Sequence, residues 1–189
     1  MDFQKIQLTR KNTLNVVYKN DDGDIVSVTG ANLVHKDLRQ ALHALIPHLA
    51  IITEQREAYN RNLQQLQGDR LANEGNDNVF KRMDVDWVSF GDEQSIVIGG
   101  NRILLNGGVV NMQTPTINLE DTDYQYSNDL DLDLQAIKYE AECYVKERKW
   151  GVKQAEIAFE DPFDGVQPEA VAEVPKEGKK RGRKSKIAA

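Results

Sequence analysis

Residues 85–150 constrain the fold more than any other part of the chain. Short apolar runs separated by glycine-bearing turns come first, and this pattern predicts an antiparallel strand meander. A helix should follow from about residue 128 to residue 150, because apolar side chains recur there at three- and four-residue spacing. Its apolar face consists of Leu130, Leu134, Ile137, Ala141 and Val145. Such a face must be buried, so we expect the helix to pack on the strands that precede it.

The turns within this stretch set the predicted strand boundaries. Glycine tolerates the positive φ values of tight reversals, and glycines occur at 99–100 and again at 107–108. We therefore expect strands at about 85–90, 95–98, 103–105 and 109–112, with turns at 91–94, 99–101 and 106–108. Ser127 and Asn128 are the candidate N-caps of the closing helix, and Gly151 should end it.

The first third of the chain has the same order of elements. The apolar runs predict strands at 3–8, 14–18 and 25–29. A helical pattern then extends over residues 35–52, with Pro47 inside it. Because proline lacks an N–H and crowds the preceding turn, we expect a kink or a break into two helices there. The polar sequence that follows predicts a loop between residues 67 and 78.

These elements predict an α+β fold in which antiparallel strand meanders pack against two amphipathic helices. The globular body should cover residues 1–160, and its two strand-helix halves, 1–66 and 82–151, could be related. Residues 161–189 hold few large apolar side chains. We expect them to form a flexible tail, acidic at first and then basic.

Charge is divided unevenly between the body and the tail. The net charge is −6, and residues 176–189 contain seven basic residues and one acidic residue, so residues 1–175 carry −12. An acidic body repels nucleic acid and a basic tail attracts it. We expect weak, non-specific contact through counterion release, with a plain solubilising tail as the alternative. The residues predicted to contact nucleic acid are Lys179, Lys180, Arg181, Arg183, Lys184 and Lys186. This segment resembles an AT-hook in which Lys184 replaces the proline of the Gly-Arg-Pro centre.

An acidic and aromatic segment, EIAFEDPFDG at 156–165, is the candidate site for a protein partner. It resembles the acidic-aromatic tips with which single-stranded-DNA-binding proteins recruit other proteins, although here it is internal. The predicted partner-binding residues are Phe159, Asp161, Pro162 and Phe163. A strand or loop docked on the body is the alternative interpretation.

Catalytic and metal signatures are weak throughout the sequence. His43 and His48 are five residues apart, a spacing that turns them to different faces of a helix, so we interpret them and His35 as surface or boundary residues. Cys143 should be a small core residue. The glycine turns could bind a phosphate, but they lack the spacing of a phosphate-binding motif. We therefore expect a protein that is not an enzyme and that needs no metal or cofactor.

The chain as a whole resembles a group of uncharacterised small proteins of tailed bacteriophages. The features that carry the resemblance are the strands TLNVVY and DIVSVT, the helix HKDLRQALHALIPHL, and the segments VDWVSFGDEQSIVIGG and NMQTPTINLED. The resemblance covers residues 3–150 and concerns the pattern of the fold. It implies a phage accessory protein in the cytoplasm of the host cell.

The leading hypothesis is a non-enzymatic accessory protein of phage DNA metabolism, in recombination or replication, which binds a protein partner and touches nucleic acid with its tail. An anti-defence inhibitor or a sponge for a nucleotide signal is the alternative, and a structural protein of the virion is a further one. No apolar run is long enough to span a membrane. The apolar face of the closing helix leaves room for a homo-oligomer.

Overall fold

The computed structural model describes residues 1–151 except 73, 74, 76, 121 and 122. The described residues form seven strands, five α-helices and a short 3-10 turn at Arg56–Ala58. The strands are β1 (Asp2–Leu8), β2 (Thr13–Lys19), β3 (Ile25–Leu33), β4 (Met83–Phe90), β5 (Ser95–Ile103), β6 (Val109–Gln113) and β7 (Ile117–Asn118). The helices are α1 (Lys36–Ala44), α2 (Ile46–Ile52), α3 (Leu63–Gly68), α4 (Val79–Arg82) and α5 (Ser127–Lys146). All of them fall within one compact unit.

The strands make one antiparallel sheet in the order β3-β2-β1-β4-β5-β6, with the short β7 pairing to β5. The first three strands and the next three are each a meander, as the alternating apolar runs predict. The pair β1–β4 joins the two meanders, since Ile6 lies opposite Val88. Each meander is followed by a helix on the same side of the sheet, and α1 contacts α5. The two strand-helix halves therefore share a single core.

The core lies between one face of the sheet and the helices. The strands contribute Phe3, Ile6, Leu14, Val16, Val85, Val88, Ile96 and Ile98, and the helices contribute Leu38, Leu42, Leu49, Leu130, Leu134 and Ile137. These side chains are almost inaccessible to water, and each stabilises the fold by about 1.5–3 kcal/mol when fully buried. The predicted α+β fold is confirmed, with α1 and α5 as the two amphipathic helices. Cys143 is buried, as expected.

Pro47 divides the first helical stretch, as its position predicts. Helix α1 ends at Ala44 and α2 begins at Ile46, so that Pro47 lies in the first turn of α2. The N–H groups of a first turn have no partner within the helix, so the missing donor of proline costs nothing there. The break redirects the chain and places Leu45 and Leu49 in the core.

The predicted turn at 99–101 is wrong, because β5 continues without interruption from Ser95 to Ile103. Gly99 and Gly100 are buried within that strand and pair with β4. A Cβ on Gly100 would overlap the backbone carbonyl of Asp84 and would lie 2.9 Å from the Cα of Val85. Glycine serves here to let two backbones approach closely beside a β-bulge in β4, not to reverse the chain.

The ends of α5 also differ from the prediction. Tyr126 precedes the helix without a capping side chain, and the helix ends at Lys146. Gly151 does not end it. Instead, the Gly151 N–H donates to the Leu33 carbonyl at 2.8 Å, next to a bridge between Val34 and Trp150. The chain after α5 thus returns to the end of β3.

Lys149 ties the end of α5 to the start of α1. Its Nζ lies 2.8 Å from Oδ2 of Asp37 and 2.7 Å from Oε2 of Glu140. The hydrogen bonds to these two carboxylates hold the pKa of the lysine above its usual range. The hydrogen bond from Lys149 lowers the pKa of Asp37.

His48 is not a surface or boundary residue, contrary to the interpretation from sequence. Its side chain is fully buried. The Nδ1 atom lies 2.7 Å from the Tyr124 hydroxyl, and Nε2 lies 3.3 Å from Oδ2 of Asp133. Burial raises the pKa of Tyr124. The hydrogen bond with Tyr124 fastens α2 to the segment that leads into α5, and Asp133 lies in α5 itself, so we assign His48 a structural role.

Candidate nucleic-acid interface

The face of the sheet opposite the helices carries polar side chains. Lys5 lies between Val17 and Ser89 in the sheet, and Gln7 lies between Asn15 and Trp87. Because side chains alternate along a strand, these residues point away from the buried Ile6. They are partly exposed, whereas their neighbours on the helix side are buried. We call this surface the open face, and define it by Lys5, Gln7, Asn15, Val17, Trp87 and Ser89.

Trp87 is the large aromatic side chain of the open face. Its partner on β5 is Gly99, and a Cβ on that glycine would overlap three atoms of the indole ring. The ring therefore lies directly over the backbone of β5, where any other residue would displace it. The ammonium group of Lys5 lies over the indole ring, 5.3 Å from its centroid. An aromatic ring fixed to a sheet is a surface on which a base can stack, once the Lys5 side chain moves off the ring.

A depression of about 640 Å³ lies beside Trp87 on the open face. The residues that line its wall include Gln7, Asn101 and Arg10, and the Asn101 amide donates to the Asp86 carboxylate. Amides can donate to and accept from the edges of unpaired bases, and a guanidinium can hold a phosphate. The depression thus offers groups for the base and for the phosphate of a nucleotide.

Asp86 is the acidic residue in this wall. Burial raises the pKa of its carboxyl group, and repulsion from Asp84 acts in the same direction, whereas a hydrogen bond from Asn101 lowers it. The carboxylate is an acceptor for the amino groups of bases. Arg10 and Lys5 offset the charges of Asp84 and Asp86, so this small region is about neutral within a body that is acidic overall.

A second depression, of about 500 Å³, lies between the 3-10 turn and the end of β5. Arg56, Arg82 and Arg102 line it together with the buried Glu57, and we call it the arginine pocket. Arg102 donates to Oε1 of Glu57 at 2.9 Å. The other carboxylate oxygen, Oε2, is buried and has no hydrogen-bond partner among the described residues.

The site residues predicted from sequence lie outside the described residues. This holds for the basic set Lys179, Lys180, Arg181, Arg183, Lys184 and Lys186, and for the partner-binding set Phe159, Asp161, Pro162 and Phe163. Both sets therefore remain predictions. In residues 1–151, gaps excepted, no group of His, Cys, Asp and Glu side chains is arranged to hold a metal ion. No helix in the same part of the chain is long and apolar enough to cross a membrane.

Trp87 is a functional candidate that the structure adds to those predicted from sequence. The signal was present in the alternation of VDWVSF, where Trp87 falls between the inward-facing Val85 and Val88. It was hidden because the bulge shifts the register between Val85 and Trp87, and because Gly99 was interpreted as part of a turn.

Comparison with known proteins does not identify the chain. No protein-family model matches it, and neither a curated protein nor a solved structure is detectably similar to it.

Proposed function

We propose that this protein is a non-enzymatic accessory protein of DNA metabolism that binds single-stranded DNA across the open face. The observation that carries the proposal is the indole of Trp87, held over Gly99, with the ammonium group of Lys5 over the ring. Single-strand binders combine stacking side chains with cations that follow the phosphates. Duplex DNA keeps its bases stacked inside the helix, so this arrangement favours unpaired strands.

The basic tail has a complementary role in this proposal. The body carries −12 and therefore opposes a polyanion over most of its surface, whereas the tail carries +6. Basic residues near the C-terminus would supply sequence-independent attraction to phosphates, and the open face would distinguish single strands from duplexes. The resemblance to tailed-phage proteins supports a place in recombination or replication in the host cytoplasm.

Binding of labelled oligonucleotides, followed by fluorescence anisotropy at several salt concentrations, tests the proposal. We expect the full chain to bind a single strand more tightly than a duplex of the same length. Deleting residues 176–189 should weaken both affinities and make the salt dependence shallower. On a single strand, the logarithmic slope should fall by about 0.7 for each phosphate that the tail no longer neutralises. The preference for the single strand should survive the deletion. Equal binding of both DNAs by the full chain, or no binding, would contradict the proposal.

A second candidate function is the capture of a nucleotide in the arginine pocket. Guanidinium groups suit phosphates, and the unpartnered Oε2 of Glu57 is an acceptor for the amino group of a base. This pocket is a better basis for a nucleotide sponge than the glycines near 99, which lie within β5.

Thermal denaturation with a panel of cyclic and linear purine nucleotides tests the second candidate. A ligand at a hundred times its Kd should stabilise the protein by about 2.7 kcal/mol, and Arg56→Ala should reduce the shift. Arg39→Ala, which changes an exposed arginine on α1, is the matched control. An unchanged melting temperature with every nucleotide would exclude this function for the pocket.

A further inference from the structure

Strand β6 is an edge strand without the usual protection. Among the described residues it pairs with β5 alone, and its sequence, VVNMQ, has neither a charged residue nor a proline. Val109 and Val110 are 63% and 45% exposed. Native proteins protect sheet edges with charges, prolines or covering segments. The opposite edge shows such protection, since Asp22 and Asp24 precede β3 and its end bridges to Trp150.

The backbone groups on the outer side of β6 follow from the pairing with β5. Leu104 N–H donates to Gly108 O at 2.7 Å, and Thr114 N–H donates to Ile98 O at 2.9 Å. Hydrogen-bonded and non-hydrogen-bonded pairs alternate in an antiparallel ladder. Between these two hydrogen bonds, the backbone N–H and C=O groups of Val110 and Met112 must pair with β5. The N–H and C=O groups of residues 109, 111 and 113 consequently point outward.

We propose that a second copy of this chain pairs with β6 in antiparallel orientation, about a two-fold axis at Asn111. In this register Asn111 lies opposite its own copy, and Val109 lies opposite Gln113 of the other chain. Each of these is a pair that exchanges two hydrogen bonds. An uncharged strand meets itself without repulsion, and a two-fold interface requires this self-complementarity.

The dimer would join the two sheets into one, with both open faces on the same side. The pairing of two chains through β6 does not depend on the proposed function. The role of the dimer in DNA binding does rest on that function. If the open face binds single-stranded DNA, a dimer presents two copies of Trp87 on one continuous surface and would cover a longer stretch of DNA than one chain can.

Light scattering coupled to size-exclusion chromatography tests the pairing with the full chain over a wide range of concentration. We expect the mass of two chains, each 21.4 kDa, with dissociation on dilution. Asn111→Pro removes a donor that points outward and leaves the bonds to β5 intact, so it should yield monomers. Asn111→Lys should do the same, because it places two like charges opposite each other.

Asn111→Ser is the matched control, since it keeps both the N–H and an uncharged side chain, and it should remain dimeric. Circular dichroism establishes that each variant is folded. The mass of a single chain at every concentration would overturn the proposal, and so would dimers of both Asn111→Pro and Asn111→Lys. The DNA titration is a separate measurement, so failure of the dimer and failure of DNA binding are distinguishable.

Discussion

Replacing Trp87 with alanine should weaken binding of single-stranded DNA by roughly tenfold to a hundredfold. One base stacked on an aromatic side chain contributes about 1–3 kcal/mol, and each 1.4 kcal/mol is a factor of ten in affinity. Binding to duplex DNA should change little, because paired bases do not reach the ring. The variant should therefore lose the preference for single strands. Anisotropy titrations of the two DNAs measure both effects.

Trp150→Ala is the matched control for this substitution. It removes the other tryptophan of the chain, which lies beside Val34 at the end of β3 and outside the open face. Trp87→Phe keeps an aromatic ring and should retain part of the affinity. Wild-type binding by Trp87→Ala, or an equal loss in Trp150→Ala, would contradict a stacking role for Trp87.

Replacing Gly100 with alanine should destabilise the protein by about 3 kcal/mol, at the upper end of what overpacking usually costs. The added Cβ would overlap the carbonyl of Asp84 and would crowd the Cα of Val85. Both are backbone atoms in the paired strand, so no side chain can move aside to relieve the overlap. The free energy of unfolding from urea denaturation, followed by circular dichroism, measures the effect.

Gly68→Ala is the control for the loss of glycine itself. A Cβ there would meet no atom within 4 Å, so we expect unchanged or slightly higher stability. Gly99→Ala is a useful comparison with Gly100→Ala. Its Cβ would meet the indole of Trp87, which is a side chain and can move, and not the backbone. It should impair DNA binding more than stability. Equal stability of Gly100→Ala and wild type would show that β4 and β5 are not as close as described.

The sequence predicts most of the fold, because hydrophobic periodicity is a local signal. The apolar stripes of α1 and α5 and the break at Pro47 are all readable within a few residues. Cross-strand pairing is not local. Gly99 and Gly100 have the composition of a turn, and only the register with β4 shows that they accommodate Trp87 and a bulge.

The candidate site was less predictable than the fold for the same reason. Trp87, Gln7 and Asn101 come from three strands, and only the pairing of β1, β4 and β5 brings them together. His48 was misinterpreted because its partners, Tyr124 and Asp133, lie more than seventy residues away. Net charge is also a poor guide, since the acidic total does not reveal that Lys5 and Arg10 lie near Trp87.

The indole N–H resonances of the two tryptophans test the central claim most directly. A ¹⁵N-labelled sample has one such resonance for Trp87 and one for Trp150, and Trp150→Phe assigns them. On addition of a single-stranded oligonucleotide, we predict that the Trp87 resonance shifts progressively to saturation while the Trp150 resonance stays in place. A stationary Trp87 resonance under conditions where the oligonucleotide is bound would contradict a DNA-binding role for the open face.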